Sequence, residues 1–296
     1  IPVWYRNDEI HVSREAPGND WEQDPDTLDT WFSSGLWTLS TLGWPNETAD
    51  LATYHPTTVL ETGYDILFFW VARMVLMSTA LRGATPFKNV YLHGLVRDKQ
   101  NRKMSKSLGN IIDPLDMINE YGADATRMSL IVGNPPGNDT PLAEDKIRAY
   151  KKFANKLWNV ARFVLDNAPE EHDSKTNITP TDDDIRIAAT RDALVKEISD
   201  DLDNFRLYLA AEKAYHYVWH DFADVVIEAS KPILNGDNPE EAASRRALLL
   251  ETFTIILKTL HPFMPHITES IWNELPVTTR DHTLLMVSTW PTSSLR

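Results

Sequence analysis

The sequence has no cysteine among its 296 residues. This absence excludes disulfide bonds and thiolate-bound zinc, and it fits the reducing cytosol. No uninterrupted apolar run approaches the roughly 18 residues that a membrane-spanning helix needs. The amino terminus has neither the basic start nor the long apolar stretch of a signal peptide. We therefore predict a soluble, cytoplasmic protein, and we expect the chain to begin inside a longer one because it starts at Ile1 without a methionine.

An excess of basic charge is also lacking, since the formal net charge is −14. This balance argues against a protein that binds nucleic acid over its whole surface. Two segments reverse it locally: Arg82 to Lys106 holds seven lysines or arginines and one acid, and Lys146 to Arg162 holds six and none. Because local patches determine a nucleic-acid footprint, both segments are candidates to contact a polynucleotide.

The first half of the chain mixes helix and strand patterns. Residues 1–58 are rich in turns and show little periodicity. The segment from Ile66 to Leu81 predicts a buried helix, Lys88 to Val96 a buried strand, and Asp113 to Tyr121 a short helix. With a length typical of about two domains, the mixture predicts an α/β layer over residues 1–145.

The second half, residues 146–296, has only helical patterns. Apolar residues three and four apart predict a helix over 145–165, followed by a polar linker over 166–181. Thr181 with Asp184 resembles a capping box. Further helices are predicted over 182–198, 202–233, 239–260 with Asn238 as N-cap, and a last one that ends at Leu275. This half therefore predicts an all-α bundle.

The most specific motif is Lys103-Met104-Ser105-Lys106-Ser107, which we call the lysine–serine loop. Two ammonium groups and two hydroxyls on a loop after a strand can bind a polyphosphate. They are most useful when charge develops there during attack on the α-phosphate. The alternative is a solvated basic loop, which is common in proteins.

The surrounding residues carry a resemblance. The loop continues into LGNIIDP at 108–114 and is followed by YGADATR at 121–127. Together these segments resemble the class I aminoacyl-tRNA synthetases of the valine, isoleucine and leucine subgroup, with Thr126 where that subgroup has leucine. Asp29 to Ser34 and Thr62 to Trp70 are similar to the valine-specific members. Other segments that resemble the family are 42–45, 134–139, 155–159 and 261–269.

The resemblance implies the fold, the reaction and the partners. Residues 1–145 would be the second half of a Rossmann-like nucleotide-binding domain, and 146–296 an anticodon-binding domain. The reaction would join valine and Mg²⁺-ATP as valyl-adenylate and pass valine to tRNA(Val), with no protein-bound metal. No HIGH-type tetrapeptide and no editing domain are found. We therefore expect this chain to need the amino-terminal half of the same protein and to be inactive alone.

The resemblance also implies roles for the residues that bind ATP. Lys106 and Lys103 would be catalytic and hold the phosphates together with Met104, Ser105 and Ser107. Gly63 and Asp65 match ribose contacts, and His93 and Val96 lie near the expected adenine edge. Two alternatives stay open, namely that Asp65 is a helix N-cap and that His93 is a core histidine.

Two further groups match the family's amino-acid and tRNA contacts. Trp31, Ile66 and Trp70 would line the valine pocket, although ordinary core packing is an equal alternative for a buried tryptophan. Lys151, Lys152 and Lys156 would face tRNA, unless they form a solvated helix face.

Three other functions compete with this reading. An isoleucine–tRNA ligase is disfavoured by the segment from Asp29 to Ser34, because the isoleucine enzymes tend to carry an extra acid there. A non-catalytic tRNA-binding remnant would not need an intact lysine–serine loop. An unrelated nucleotidyltransferase would leave the helical half unexplained.

Overall fold

The computed structural model describes residues 1–169 and 178–292, so part of the predicted polar linker, residues 170–177, lies outside the described residues. The chain divides into two compact units, one from Ile1 to His93 and one that begins at Gly94. The domain boundary predicted near residue 145 stays a prediction. The two compact units meet between His93 and Gly94 in the sequence instead, because the helices on both sides of residue 145 share one hydrophobic core.

The first unit begins with a small antiparallel sheet. Its strands are β1 (Val3–Arg6), β2 (Glu9–Val12) and β3 (Glu22–Gln23), in the order β2-β1-β3. Short helices follow as α1 (Thr30–Gly35), α2 (Trp37–Ser40) and α3 (Ala49–Tyr54). Residues 1–58 were predicted to be rich in turns, and no strand or helix was predicted there. The strands have at most four residues and β2 is exposed throughout, so they show no alternation of buried and exposed residues.

A parallel pair of strands forms the second part of this unit. Strand β4 (Thr57–Gly63) pairs with β5 (Phe87–His93), and the register aligns Gly63 with His93. The strand predicted over 88–96 is too long, because β5 ends at His93, and it is not buried, because only Phe87 of its residues is buried. At Gly94 an added Cβ would lie 1.7 Å from the Asn138 carbonyl oxygen. Only glycine tolerates so close a backbone approach.

A helical crossover joins the two parallel strands. It starts as a 3₁₀ turn over Tyr64–Ile66, continues as a π-helical segment over Leu67–Val71 and becomes α4 over Ala72–Arg82. Gly83 ends it with a φ of 70°, the left-handed conformation that commonly terminates helices. The helix predicted over 66–81 is confirmed, but the prediction that it is buried is wrong, because Phe68 and Leu76 are 76% and 69% exposed. The unit's hydrophobic core is formed by Leu60, Val71, Met74 and Phe87.

This crossover is also the one stretch of the described residues that passes a test for membrane spans. Tyr64–Arg82 has 19 residues and a mean hydropathy of 1.4 over an 18-residue window. The stretch is not an uninterrupted apolar run, because it contains charged residues such as Arg73. Length and composition are shared by membrane spans and by helices of soluble proteins, and only 17% of the window is buried.

The second unit opens with two short strands and two short helices. Strand β6 (Val96–Arg97) pairs in parallel with β7 (Thr140–Pro141). Helix α5 (Pro114–Tyr121) matches the prediction, with the Asp113 carboxylate accepting from the Leu115 amide at 2.8 Å. Helix α6 (Ala123–Ile131) was not predicted, because Gly122 was read as the end of a helix. Its φ of 94° lets the chain turn and start again at once.

The bundle confirms most of the predicted helices. The described helices are α7 (Glu144–Asp166), α8 (Asp182–Asp203), α9 (Leu207–His216), α10 (Glu228–Leu234), α11 (Pro239–Leu260) and α12 (Pro265–Glu274). A π-helical segment, Tyr217–Ile227, joins α9 to α10. The helix predicted to start at 202 starts at Leu207, because Phe205 has a φ of 56°.

The predicted caps are confirmed in part. Asn238 accepts from the amides of Glu240 and Glu241, as expected for an N-cap. Thr181 caps α8 by accepting from the Asp184 amide at 3.1 Å. The reciprocal half of the capping box is wrong, because the Asp184 carboxylate binds Arg245 at 2.6 Å in the bundle interior.

Two segments that resemble the synthetase family, 121–127 and 261–269, meet inside the second unit, and we call their contact the latch. The Asp124 carboxylate, from YGADATR, accepts from the amides of His266 and Ile267 at the start of α12. Arg127 donates to the carbonyl oxygens of Pro262 and Phe263 at 3.0 and 3.2 Å. Helix α6, the second helix after the lysine–serine loop, is thus joined to the end of the bundle.

Candidate active site

Three predicted nucleotide-binding residues meet where the parallel strands of the first unit end. Gly63 and His93 are register partners at the last residues of β4 and β5. An added Cβ at Gly63 would lie 2.7 Å from an Asp65 carboxylate oxygen and 3.5 Å from the His93 ring. The carboxyl ends of parallel strands are where α/β proteins bind nucleotides. The lack of a side chain at Gly63 therefore leaves space between the Asp65 carboxylate and the His93 imidazole, at the strand ends where α/β proteins bind nucleotides.

The alternative roles of Asp65 and His93 can be judged from their surroundings. Asp65 is exposed, and no side-chain hydrogen bond caps the helical segments that begin beside it. The N-cap interpretation of Asp65 is therefore wrong. His93 is also exposed and lies 3.2 Å from a Glu61 carboxylate oxygen, so it is not a core histidine. Both side chains are accessible to a ligand.

The three predicted valine-pocket residues lie on α1 and on the crossover of the first unit. Trp31 on α1 lies 6.1 Å from Phe69, measured between ring centroids. The Trp70 indole donates to the Ser34 carbonyl at 3.2 Å, which connects the crossover to α1. Trp31, Ile66 and Trp70 are all half-buried, and Trp70 packs against the unit's hydrophobic core. Core packing therefore accounts for part of the Trp70 side chain, and the pocket role of all three residues stays a prediction.

The lysine–serine loop lies in the second unit and has a defined backbone. Ser105 is the N-cap of a 3₁₀ turn over Lys106–Leu108, and its hydroxyl accepts from the Leu108 amide at 3.3 Å. Gly109 closes the turn with a φ of 59°. The Met104 side chain is half-buried against the hydrophobic core of the unit. The loop is thus attached to the bundle core through one residue of the motif.

The two ammonium groups of this loop point to solvent. Lys103 and Lys106 are both exposed, and neither has an ion pair or a side-chain hydrogen bond among the described residues. The Ser107 hydroxyl lies 3.1 Å from that of Ser105. The loop therefore presents two uncompensated positive charges beside two hydroxyls, a combination suited to a polyphosphate.

Sequence reasoning missed two residues that hold this loop, Asp98 and Asn110. Asp98 is only 4% exposed although it is charged. Hydrogen bonds from Asn110 and Arg102 lower the pKa of Asp98 to about 2, against burial that raises it. Two features of the sequence could have pointed to them: Asp98 is the one acid inside a basic run, and Asn110 directly follows a glycine. Neither residue was predicted to have a role.

Val96 and the three predicted tRNA-facing lysines also lie in the second unit. Val96 is 42% exposed on β6. Lys151 donates to the Glu120 carbonyl at 2.8 Å, whereas Lys152 is exposed with no bond among residues 1–169 and 178–292. Lys156 lies 2.6 Å from Asp224 and stacks over the Trp219 ring at 4.4 Å. The charge of Lys156 is therefore compensated inside the protein, and Lys152 is the most available of the three.

In the part of the chain that the structure describes, no three side chains of histidine, aspartate or glutamate converge as metal ligands would.

Two protein-family models match this chain. Residues 3–143 match the family of tRNA synthetases class I (I, L, M and V). Residues 184–296 match the anticodon-binding domain of tRNA ligases. This chain belongs to the class I aminoacyl-tRNA synthetases. The catalytic-type domain of this synthetase chain is therefore followed by an anticodon-binding domain, as the resemblance implied.

Curated relatives of this synthetase chain include valine–tRNA ligases. That of Clostridium acetobutylicum is 46% identical over 99% of this chain and 34% of its own length. That of Petrotoga mobilis is 46% identical over 98% of this chain and 34% of its own length. The chain spans about a third of these relatives. Their specificity disfavours the isoleucine alternative.

Solved structures show the fold of this synthetase chain at lower identity. The LeuRS–tRNA–LeuAMS ternary complex of Agrobacterium radiobacter has a TM-score of 0.72 and 22% identity, and it covers 94% of this chain and 34% of that one. Mycobacterium tuberculosis methionyl-tRNA synthetase bound by methionyl-adenylate has a TM-score of 0.70 and 21% identity, covering 99% and 58%.

Proposed function

We propose that residues 1–296 form part of a valine–tRNA ligase. The complete enzyme, meaning the full-length synthetase that contains these residues, would activate valine with Mg²⁺-ATP. It would release pyrophosphate and pass the valyl group to tRNA(Val) in the cytoplasm. The identity of 42–46% to valine–tRNA ligases supports this specificity. Residues 1–145 would complete a Rossmann-like nucleotide-binding domain, which the parallel pair β4–β5 supports.

The observation that carries the proposal is the lysine–serine loop with its two unpaired ammonium groups. An ammonium group that already pairs with a carboxylate attracts a phosphate less strongly. Lys103 and Lys106 are uncompensated among the described residues, and their loop has an ordered turn. They would stabilise the charge that builds on the triphosphate as the valine carboxylate attacks the α-phosphorus and pyrophosphate leaves.

The other proposed contacts rest on the first unit. The exposed Asp65 carboxylate can accept hydrogen bonds from both ribose hydroxyls, and Gly63 leaves room for them. His93 and Val96 would lie near the adenine. Trp31, Ile66 and Trp70 would form flat apolar walls that fit a β-branched side chain.

An exposed apolar surface of the first unit supports a partner within the same protein. Phe68 and Leu76 on the crossover are 76% and 69% exposed. Apolar side chains exposed together on one segment mark an interaction surface. We propose that the amino-terminal half of the catalytic domain covers it, and that this same half supplies the remaining ATP contacts.

Valine-dependent exchange of pyrophosphate into ATP tests the catalytic proposal. In the complete enzyme, Lys106→Ala should lower kcat about a hundredfold, because one electrostatic contact to the transition state is lost. The control is Lys196→Ala, which removes an exposed lysine of α8. Equal exchange rates for the two variants would show that the loop is passive.

The dependence on the other half is tested with the chain itself. Residues 1–296 alone should give no measurable valine-dependent exchange, and adding the amino-terminal half of the catalytic domain should restore it. Robust exchange by residues 1–296 alone would contradict the proposal that the ATP site needs both halves.

A further inference from the structure

Asp98 is the centre of a tight turn that leads into the lysine–serine loop. One of its carboxylate oxygens accepts from the amides of Gln100 and Arg102, at 3.0 and 2.8 Å. The other accepts from the Arg102 guanidinium at 2.8 Å and from the Asn110 amide group at 2.9 Å. A buried carboxylate with four donors is fully satisfied. It therefore fixes its surroundings and has no lone pair left for a substrate cation.

Asn110 connects that carboxylate to the motif. Its side-chain oxygen accepts from the Ser105 amide at 2.9 Å. Its side-chain nitrogen donates to Asp98 at 2.9 Å and to the Lys103 carbonyl at 3.3 Å. One side chain thus holds the backbone at the first and third residues of the lysine–serine loop. An aspartate at position 110 would lack the donor that both contacts need.

The negative charge of Asp98 is directed at the backbone and at Arg102, and it is not paired with either lysine of the motif. Arg102 lies in the same turn and forms the ion pair at 2.8 Å. Lys103 and Lys106 are consequently left without an acidic partner among the described residues, while the backbone that carries them is held in place. If salt bridges to these lysines held the loop instead, their charges would already be paired and less available to a phosphate.

We propose that Asp98 and Asn110 are positioning residues that preset the lysine–serine loop to place its lysines on the triphosphate. This inference rests on the proposed function and deepens it. The polar groups of Asp98 and Asn110 are bonded within the turn and the loop, so the two residues would act through the backbone of Lys103 and Ser105. Presetting matters because a misplacement of about 1 Å can lower a rate about a hundredfold.

The kinetic test uses Asp98→Asn and Asn110→Ala in the complete enzyme, with Asp116→Asn and Asn119→Ala as controls. The control residues are exposed on α5 and have no side-chain bond among the described residues. We call Asp98 and Asn110 together the clamp. Each clamp variant should lower kcat for valine-dependent exchange about tenfold to a hundredfold, with a smaller change in the KM for ATP. The controls should match wild type.

A double-mutant cycle separates positioning from general damage. If Asn110 acts through Lys103 and Lys106, then Asn110→Ala should cost little more once both lysines have been replaced by alanine. Effects that multiply fully would mean that Asn110 stabilises the protein independently of the two lysines, and this would overturn the inference. The same cycle with Asp98→Asn repeats the test, and Asn110→Ala alone suffices if Asp98→Asn does not fold.

Hydrogen exchange on residues 1–296 tests the clamp without any activity. The Ser105 amide should exchange about two- to tenfold faster in Asn110→Ala, the range expected for loss of one hydrogen bond, and be unchanged in Asn119→Ala. Unchanged exchange in Asn110→Ala overturns the clamp. Faster exchange together with an inactive wild-type complete enzyme would support the clamp and overturn the proposed function.

Discussion

The two units differ in how they are stabilised. The first has one cluster of four buried apolar side chains, with Leu39 and Leu51 buried outside it, and a crossover several of whose large apolar residues are exposed. The second has a continuous core that draws on every helix from α5 to α12, together with buried ion pairs such as Arg245–Asp184. Buried apolar area is the main stabilising contribution in folding. The second unit therefore has the means to fold alone, whereas the first has a surface that needs cover.

The largest effect should be seen when the units are separated. Residues 94–296 should show a cooperative thermal transition, and residues 1–93 should show none because so little apolar surface is buried. Circular dichroism and calorimetry on the two chains check this. A cooperative transition in residues 1–93 would break the comparison.

The buried arginine of the second unit should give the next largest effect. Arg245 is 1% exposed and donates to Asp184, Asp183 and Ser230. Arg245→Ala leaves Asp184 buried without its cation and should lower the free energy of unfolding by about 3–5 kcal/mol. Arg246→Ala, at the next and less buried position of α11, is the control, and denaturant titration is the measurement. Equal losses in both variants would mean that the buried pair is not special.

Core and surface of the first unit should respond differently to truncation. Met74 is fully buried, so Met74→Ala should cost about 2–5 kcal/mol. Phe68 is 76% exposed, so Phe68→Ser should stay within about 0.5 kcal/mol. Denaturant titration of residues 1–296, followed by a probe in the first unit, compares them. A costly Phe68→Ser would show that the exposed face is already covered within this chain.

The smallest effect should come from acid. The pKa of Asp98 falls from 3.8 unfolded to about 2 folded, first because of the Asn110 hydrogen bond. A lowered folded pKa adds stability that is complete above pH 4 and is lost as pH falls towards 2. The wild-type melting temperature should therefore fall more across that window than that of Asp98→Asn. Parallel curves would mean that the clamp charge is not linked to folding.

The sequence predicted the long amphipathic helices well because each buries a regular stripe. Helix α7, for example, buries Ile147, Phe153 and Leu157 as their spacing predicts. It failed for β1 to β3, whose short exposed strands carry no such pattern, and at Gly94, where contact with Asn138 ends the strand. Both depend on contacts distant in sequence.

The candidate site was predictable to the extent that it is a contiguous motif. Lys103 and Lys106 were found because five residues in a row are distinctive. Asp98 and Asn110 were missed because each is an ordinary residue until the fold brings it to the loop. The burial of Asp98 and the bonds of Asn110 cannot be read from spacing.

The latch has a consequence for the construction of hybrid synthetases. Asp124 and Arg127 recognise backbone groups at 262–267, so their bonds require a correctly placed turn more than particular side chains. A hybrid that exchanges the bundle at residue 145 must recreate that turn from the donor. A hybrid joined between His93 and Gly94 would take the turn, the latch and the loop from one parent. This junction should therefore tolerate recombination better than a junction at residue 145.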